Sequence, residues 1–197
     1  GKLLFSARVI PYRGSWVEFE FDANDILHVR VDRRRKMLAT AFLRAFWFLE
    51  KGVILSDEEI LGQFYDLEEV LSFEDRVAWV KLHPEAHNGV KVADDVRLPR
   101  HREALVQSGK TLTPKVIEKL VEAGVEKIPV RAESLVGRRT GGRVVDAETG
   151  EVLVEANAEV TSTLLSQIMG RRVAPFKLLA VVATKIDTSI YETLAKD

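Results

Sequence analysis

The chain has 197 residues, 46% of them hydrophobic and 30% charged, with 29 Lys and Arg against 30 Asp and Glu. That is the make-up of one large or two small globular domains. There is no cysteine, which excludes a disulfide framework and a thiolate metal site, and no apolar run reaches the ~18 residues that cross a bilayer. Charge is unevenly spread: residues 1–50 carry nine cations against six carboxylates, residues 51–75 one against eight, and the remainder nineteen against sixteen. Such fields act over about a Debye length, ~8 Å at physiological salt, so a polyanion is drawn to the N-terminal part and repelled by the segment after it.

In chain order, Leu3 to Tyr12 reads as a strand closed by Arg13-Gly14-Ser15. Trp16 to Phe21 alternates, with Val17, Phe19 and Phe21 on one face and Trp16, Glu18 and Glu20 on the other. A tryptophan among carboxylates is either an edge-packing residue or a recognition surface. Asp22-Ala23-Asn24-Asp25 supplies turn chemistry and Ile26 to Val31 returns as the partner strand. Directly after it, Arg30-Val31-Asp32-Arg33-Arg34-Arg35-Lys36 holds five cations in seven residues. Two readings stand side by side: a solvated face, or the phosphate-binding half of a single-strand nucleic-acid site whose stacking half is Trp16.

Leu38, Phe42, Leu43, Ala45, Phe46 and Leu49 recur at helical spacing, which predicts a helix buried on a broad face and assigns those residues to the core. Ser56-Asp57-Glu58-Glu59 is a capping box, which accounts for its acids without catalysis. Leu67 to Leu71 reads as a second short amphipathic stretch, and Val77 to Leu82 as a strand. Residues 105–130 and 153–178 form a repeat of strand, turn, short helix and strand, displaced by 48 residues. Thr113-Pro114 opens the first helix, Gly124 and Gly170 end the two helices, and Asp146 to Glu151 is a hairpin loop with Gly150 at a positive φ. Neither copy buries its apolar face alone, so the two are expected to pack together.

Other motifs fail on chemistry. Ser108-Gly109-Lys110-Thr111 imitates the end of a phosphate-binding loop, but Ala104 stands where that loop needs glycine. His83-Pro84-Glu85-Ala86-His87 contains a proline and lacks the helical pattern of a zinc protease. No stretch gathers the carboxylates that hold paired Mg²⁺ ions for nucleotidyl transfer.

Ala7 to Asp22, continued by Val29 to Lys36, closely resembles a segment of the beta subunit of bacterial DNA-directed RNA polymerase. Asp146 to Leu153 with Ala156-Asn157, and Ile190 to Leu194, resemble it further downstream, whereas Phe48 to Pro99 shows no such resemblance. The resemblance implies the lobe, the pincer tip that walls the main channel and lies against downstream DNA and the non-template strand. It implies DNA contact by Trp16, Asp32, Arg33, Arg34, Arg35 and Lys36, with Trp16 meeting an unstacked non-template base. It also implies beta prime, alpha, omega and sigma subunits as partners, and a nucleotidyltransferase whose Mg²⁺ is bound elsewhere, with no catalytic residue and no cofactor in this segment. A cytoplasmic, nucleoid-associated setting follows.

The expected fold is α+β: an antiparallel meander with a helix over residues 1–50 plus a return segment at 186–197. Residues 51–185 would be a lineage-specific insertion serving as a peripheral docking module for transcription regulators. Since Gly1 opens straight into a strand pattern without Met, the chain reads as part of a longer polypeptide. The alternative is an independent protein-interaction domain without catalytic activity.

Overall fold

A computed structural model describes residues 3–98, 103–180 and 187–197. It is an α+β fold in two compact units, residues 1–64 with 186–197, and residues 65–185. The division thus falls after residue 64 rather than after residue 50.

In the first unit, β1 (Ser6–Val9), β2 (Val17–Phe21), β3 (Leu27–Val31) and β4 (Met37–Leu38) form an antiparallel meander in that order. β1 is shorter than expected, because Pro11 has no N–H to extend the ladder. The Asp22 carboxylate closes the β2–β3 turn, accepting the Asn24 and Ile26 N–H groups at 2.8 and 3.0 Å, with Asp25 at φ 62°. Phe19, on the apolar face of β2, meets Phe42 of α1 (Ala39–Lys51) edge-on at 6.2 Å.

The expectation that α1 is core fails over its second half. Only Ala39 and Thr40 are buried, Phe42 and Leu43 are half-buried, and Ala45, Phe46 and Leu49 are exposed, Leu49 at 84%. The sheet is four short strands wide, so it covers the start of a 13-residue helix and leaves its end uncovered. α2 (Asp57–Phe64) begins with the expected capping box: Glu59 accepts from the Ser56 N–H and hydroxyl, both at 2.8 Å, and Ser56 accepts from the Glu59 N–H. Arg44 ties α1 to the start of α2 through Asp57 and to the chain end through Asp197 at 3.0 Å. There α5 (Ser189–Leu194) packs on α1, α2 and β3.

The second unit holds a sheet of β5 (Leu67–Glu74), β6 (Val77–Lys81), β7 (Lys127–Arg131) and β10 (Phe176–Leu179), ordered β10-β5-β6-β7 and antiparallel throughout. Leu67 to Leu71 is therefore strand rather than an amphipathic helical stretch. Its inward positions Glu68 and Val70 are buried at a spacing of two, the period of a strand. Helices α3 (Pro114–Glu122) and α4 (Ser162–Met169) and the short pair β8 (Val144–Val145) and β9 (Val152–Val154) complete it.

The internal repeat is visible atom by atom, and it is longer than the sequence pattern suggested. The Leu112 N–H and C=O bond to Val90 and Gly89, as those of Val160 bond to Arg138 and Gly137. Val92 N–H reaches Lys110 as Thr140 reaches Ala158, and Ala93 reaches Pro129 as Gly141 reaches Lys177. The bridge between Val96 and Val106 recurs as the pairing of Val144 with Val154. Each copy thus begins near His87 and Leu135, well before 105 and 153.

Burial repeats as well: Leu112, Ile117, Leu120, Ile128 and Val130 occupy one shared core with Val160, Leu165, Ile168, Phe176 and Leu178. The helix C-caps take one conformation, Ala123 and Gly170 both at φ −76° and ψ −3°. The residue after the cap differs, since Gly124 is left-handed at φ 74° and Arg171 is not. The Asp146–Glu151 loop forms as expected, with Gly150 at φ 73° and the Asp146 carboxylate accepting the Glu148 and Thr149 N–H groups.

Candidate nucleic-acid interface

The β2–β3 register puts Trp16 opposite Asp32, one step beyond the last paired residues, Val17 and Val31. Asp32 N–H donates to the Trp16 carbonyl at 2.9 Å. In an ordinary antiparallel pair the Trp16 N–H would return to the Asp32 carbonyl. Here it donates to the Asp32 carboxylate at 2.8 Å. Asp32 and Arg33 both adopt left-handed φ, 50° and 58°, so the chain turns away from the sheet at this point. Hydrogen bonds from the Ser15 side chain and the Trp16 N–H hold the Asp32 carboxyl below its usual range.

β3 ends at Val31, where the alternation predicts, so Arg33 and Arg34 lie beyond the strand. The Arg33 guanidinium lies 5.9 Å from the centroid of the Trp16 ring. A second guanidinium, Arg8, lies 5.8 Å from the same ring. Sequence reasoning missed Arg8. Its signal was the register, since Arg8, Glu18 and Arg30 form one cross-strand row on the face that carries Trp16.

Carboxylates engage part of this positive charge. Arg8 pairs with Glu18, and Arg30 with Glu20 at 3.1 Å, while Arg30 also donates to the Arg34 carbonyl. Arg33, Arg34, Arg35 and Lys36 are exposed, and none of the four makes an ion pair with a carboxylate among the described residues. Trp16 itself is 38% exposed. The site is thus an accessible indole held at its backbone by Asp32, with guanidinium groups near the ring and a run of exposed cations alongside. It offers a face for stacking and charge for phosphates.

His83 and His87 have other work. His87 is buried, its Nδ1 accepts the His83 N–H at 3.0 Å, and its Nε2 meets Glu68 at 2.8 Å. Glu68 also pairs with Arg138 at 2.6 Å. Among the described residues no group of three or more His, Cys, Asp and Glu is placed to hold a metal ion, and no helix is long and apolar enough to cross a membrane.

No protein-family profile matches the chain. Curated relatives match it along its whole length, including residues 48–99. DNA-directed RNA polymerase subunit beta from Anaeromyxobacter sp. (strain Fw109-5) is 40% identical over 205 aligned residues, covering 100% of this chain and 14% of that protein. The subunits of the same name from Syntrophotalea carbinolica and Sorangium cellulosum are 38% and 36% identical over 197 residues, with the same coverage. The chain spans only 14% of the length of these relatives. It is homologous, from end to end, to one segment of the DNA-directed RNA polymerase beta subunit.

Proposed function

We propose that the first unit is the lobe of a DNA-directed RNA polymerase beta subunit, and that Trp16 and the cations after β3 meet downstream DNA and the non-template strand. The observation that carries this reading is the exposed Trp16 ring, with Arg8 and Arg33 near it, beside the exposed Arg34, Arg35 and Lys36. Phosphates attract the cations regardless of sequence, whereas an unstacked base gains roughly 1–3 kcal/mol from an aromatic face.

In this reading the segment holds and positions DNA, while nucleotidyl transfer and its Mg²⁺ belong to other parts of the enzyme. Residues 65–185 serve as a peripheral docking module for transcription regulators. Beta prime, alpha, omega and sigma subunits are the partners of the whole, in the bacterial cytoplasm.

Open-complex decay of the assembled polymerase, followed at several salt concentrations on templates differing in one non-template base, tests the proposal. Arg34→Ala should shorten lifetimes on every template and flatten the salt slope by about 0.9. Trp16→Ala should remove the dependence on the base and leave the slope as it was. If Trp16→Ala decays like wild type on every template, Trp16 is a packing residue and the stacking assignment is wrong.

A further inference from the structure

We infer that Asp32 is a positioning residue that sets the Trp16 ring for stacking and makes no contact with DNA itself. The inference rests on the reading of Trp16 just given. Its basis is the substitution of a side chain for a backbone group at the end of the β2–β3 ladder. Trp16 would lose its hydrogen-bond acceptor where the chain turns left-handed at Asp32 and Arg33, and the Asp32 carboxylate replaces that acceptor at 2.8 Å. With the reciprocal bond from Asp32 N–H to the Trp16 carbonyl at 2.9 Å, both polar backbone groups of Trp16 are fixed by one residue.

Three further observations agree. Aspartate is among the few residues that adopt a left-handed conformation readily, so one residue makes both the turn and the latch. The same turn carries Arg33 to the Trp16 ring. The carboxylate is already engaged by the Trp16 N–H and the Ser15 side chain, and its charge is of the wrong sign for a phosphate. Asp32 therefore acts through Trp16.

The test uses the assembled polymerase and the ratio of open-complex lifetimes on templates that differ in the stacked non-template base. In the wild type that ratio should depart from unity by less than the roughly 5- to 150-fold that a whole stacked base supplies, because it reads the difference in stacking between two bases. Asp32→Ala should bring it to within about twofold of unity without flattening the salt slope, and the double variant with Trp16→Ala should be no worse than Trp16→Ala alone. Asp32→Asn keeps an oxygen that accepts the Trp16 N–H and should retain most of the ratio. Ser15→Ala, a milder change that removes one hydrogen bond to Asp32, should lower it in part.

If Trp16→Ala abolishes the ratio and both Asp32→Ala and Ser15→Ala leave it at the wild-type value, the inference is overturned and the Trp16 reading stands. Equal shortening by Asp32→Ala on every template, with a changed salt slope, also overturns it, because Asp32 would then act on phosphate binding. If Trp16→Ala leaves the ratio intact, both fall together.

Discussion

Replacing Glu68 with alanine should unfold the second unit far more readily than its place on one strand suggests. Glu68 and His87 are 3% and 2% exposed. One carboxylate oxygen meets His87 Nε2 at 2.8 Å, and the other meets the Arg138 guanidinium, which also donates to the Leu179 carbonyl. His87 Nδ1 accepts the His83 N–H, so the proton lies on Nε2 and points at Glu68. The network joins β5 to the start of the first repeat copy and to the second.

Burial pushes the Glu68 carboxyl upward, but the His87 hydrogen bond and the Arg138 charge outweigh it and hold the group at about 2, against 4.5 for a free glutamate. Such a drop corresponds to about 3 kcal/mol, and breaking a buried ion pair from one side costs about 3–5 kcal/mol. Because the folded-state value is depressed, this stability is fully present above pH 4.5 and is lost as pH falls through about 2. Urea denaturation of the chain should show Glu68→Ala losing about 3–5 kcal/mol at pH 7. Across the acid range Glu68→Gln should lack about 3 kcal/mol of the wild-type pH dependence. Asp22, Asp32, Glu59, Asp95 and Asp146, also held low, titrate in both proteins and cancel in the comparison. A loss under about 1 kcal/mol, or an unchanged acid limb, would refute the argument.

The two helix starts of the repeat should respond differently to the same change. Thr161 accepts the Leu164 N–H at 3.2 Å, whereas Thr113 makes no such bond and relies on Pro114. Thr161→Ala should therefore cost about 1 kcal/mol in urea denaturation and Thr113→Ala only a few tenths, and equal losses would contradict the assignment. A polymerase in which a short linker replaces residues 65–185 should still synthesise RNA from a template. Lost synthesis with subunit assembly intact would show that the second unit is not peripheral.

The strands around Trp16 were legible because alternation over Val17 to Phe21 and turn chemistry at Asp22 act within a few residues. The repeat was legible where apolar spacing and caps recur. Its first half was hidden, since Val92 stands against Thr140 and His87 against Leu135, and the equivalence lies in backbone hydrogen bonds. The latch on Trp16 was hidden for a related reason. Asp32 reads as one member of a charged run, and only the register shows it facing Trp16 across the ladder. Periodicity also misplaced Phe46 and Leu49 in the core: an apolar helix face says what can be buried, and the width of the covering sheet decides what is.

The most direct test of the central claim is site-specific photo-crosslinking from position 16 in the assembled polymerase, with a photoreactive phenylalanine derivative replacing Trp16. In open complexes the account predicts a crosslink to a base of the non-template strand at the start of downstream DNA, lost when the strand is made continuous duplex at that point. Crosslinks confined to protein, or to the template strand, would contradict it.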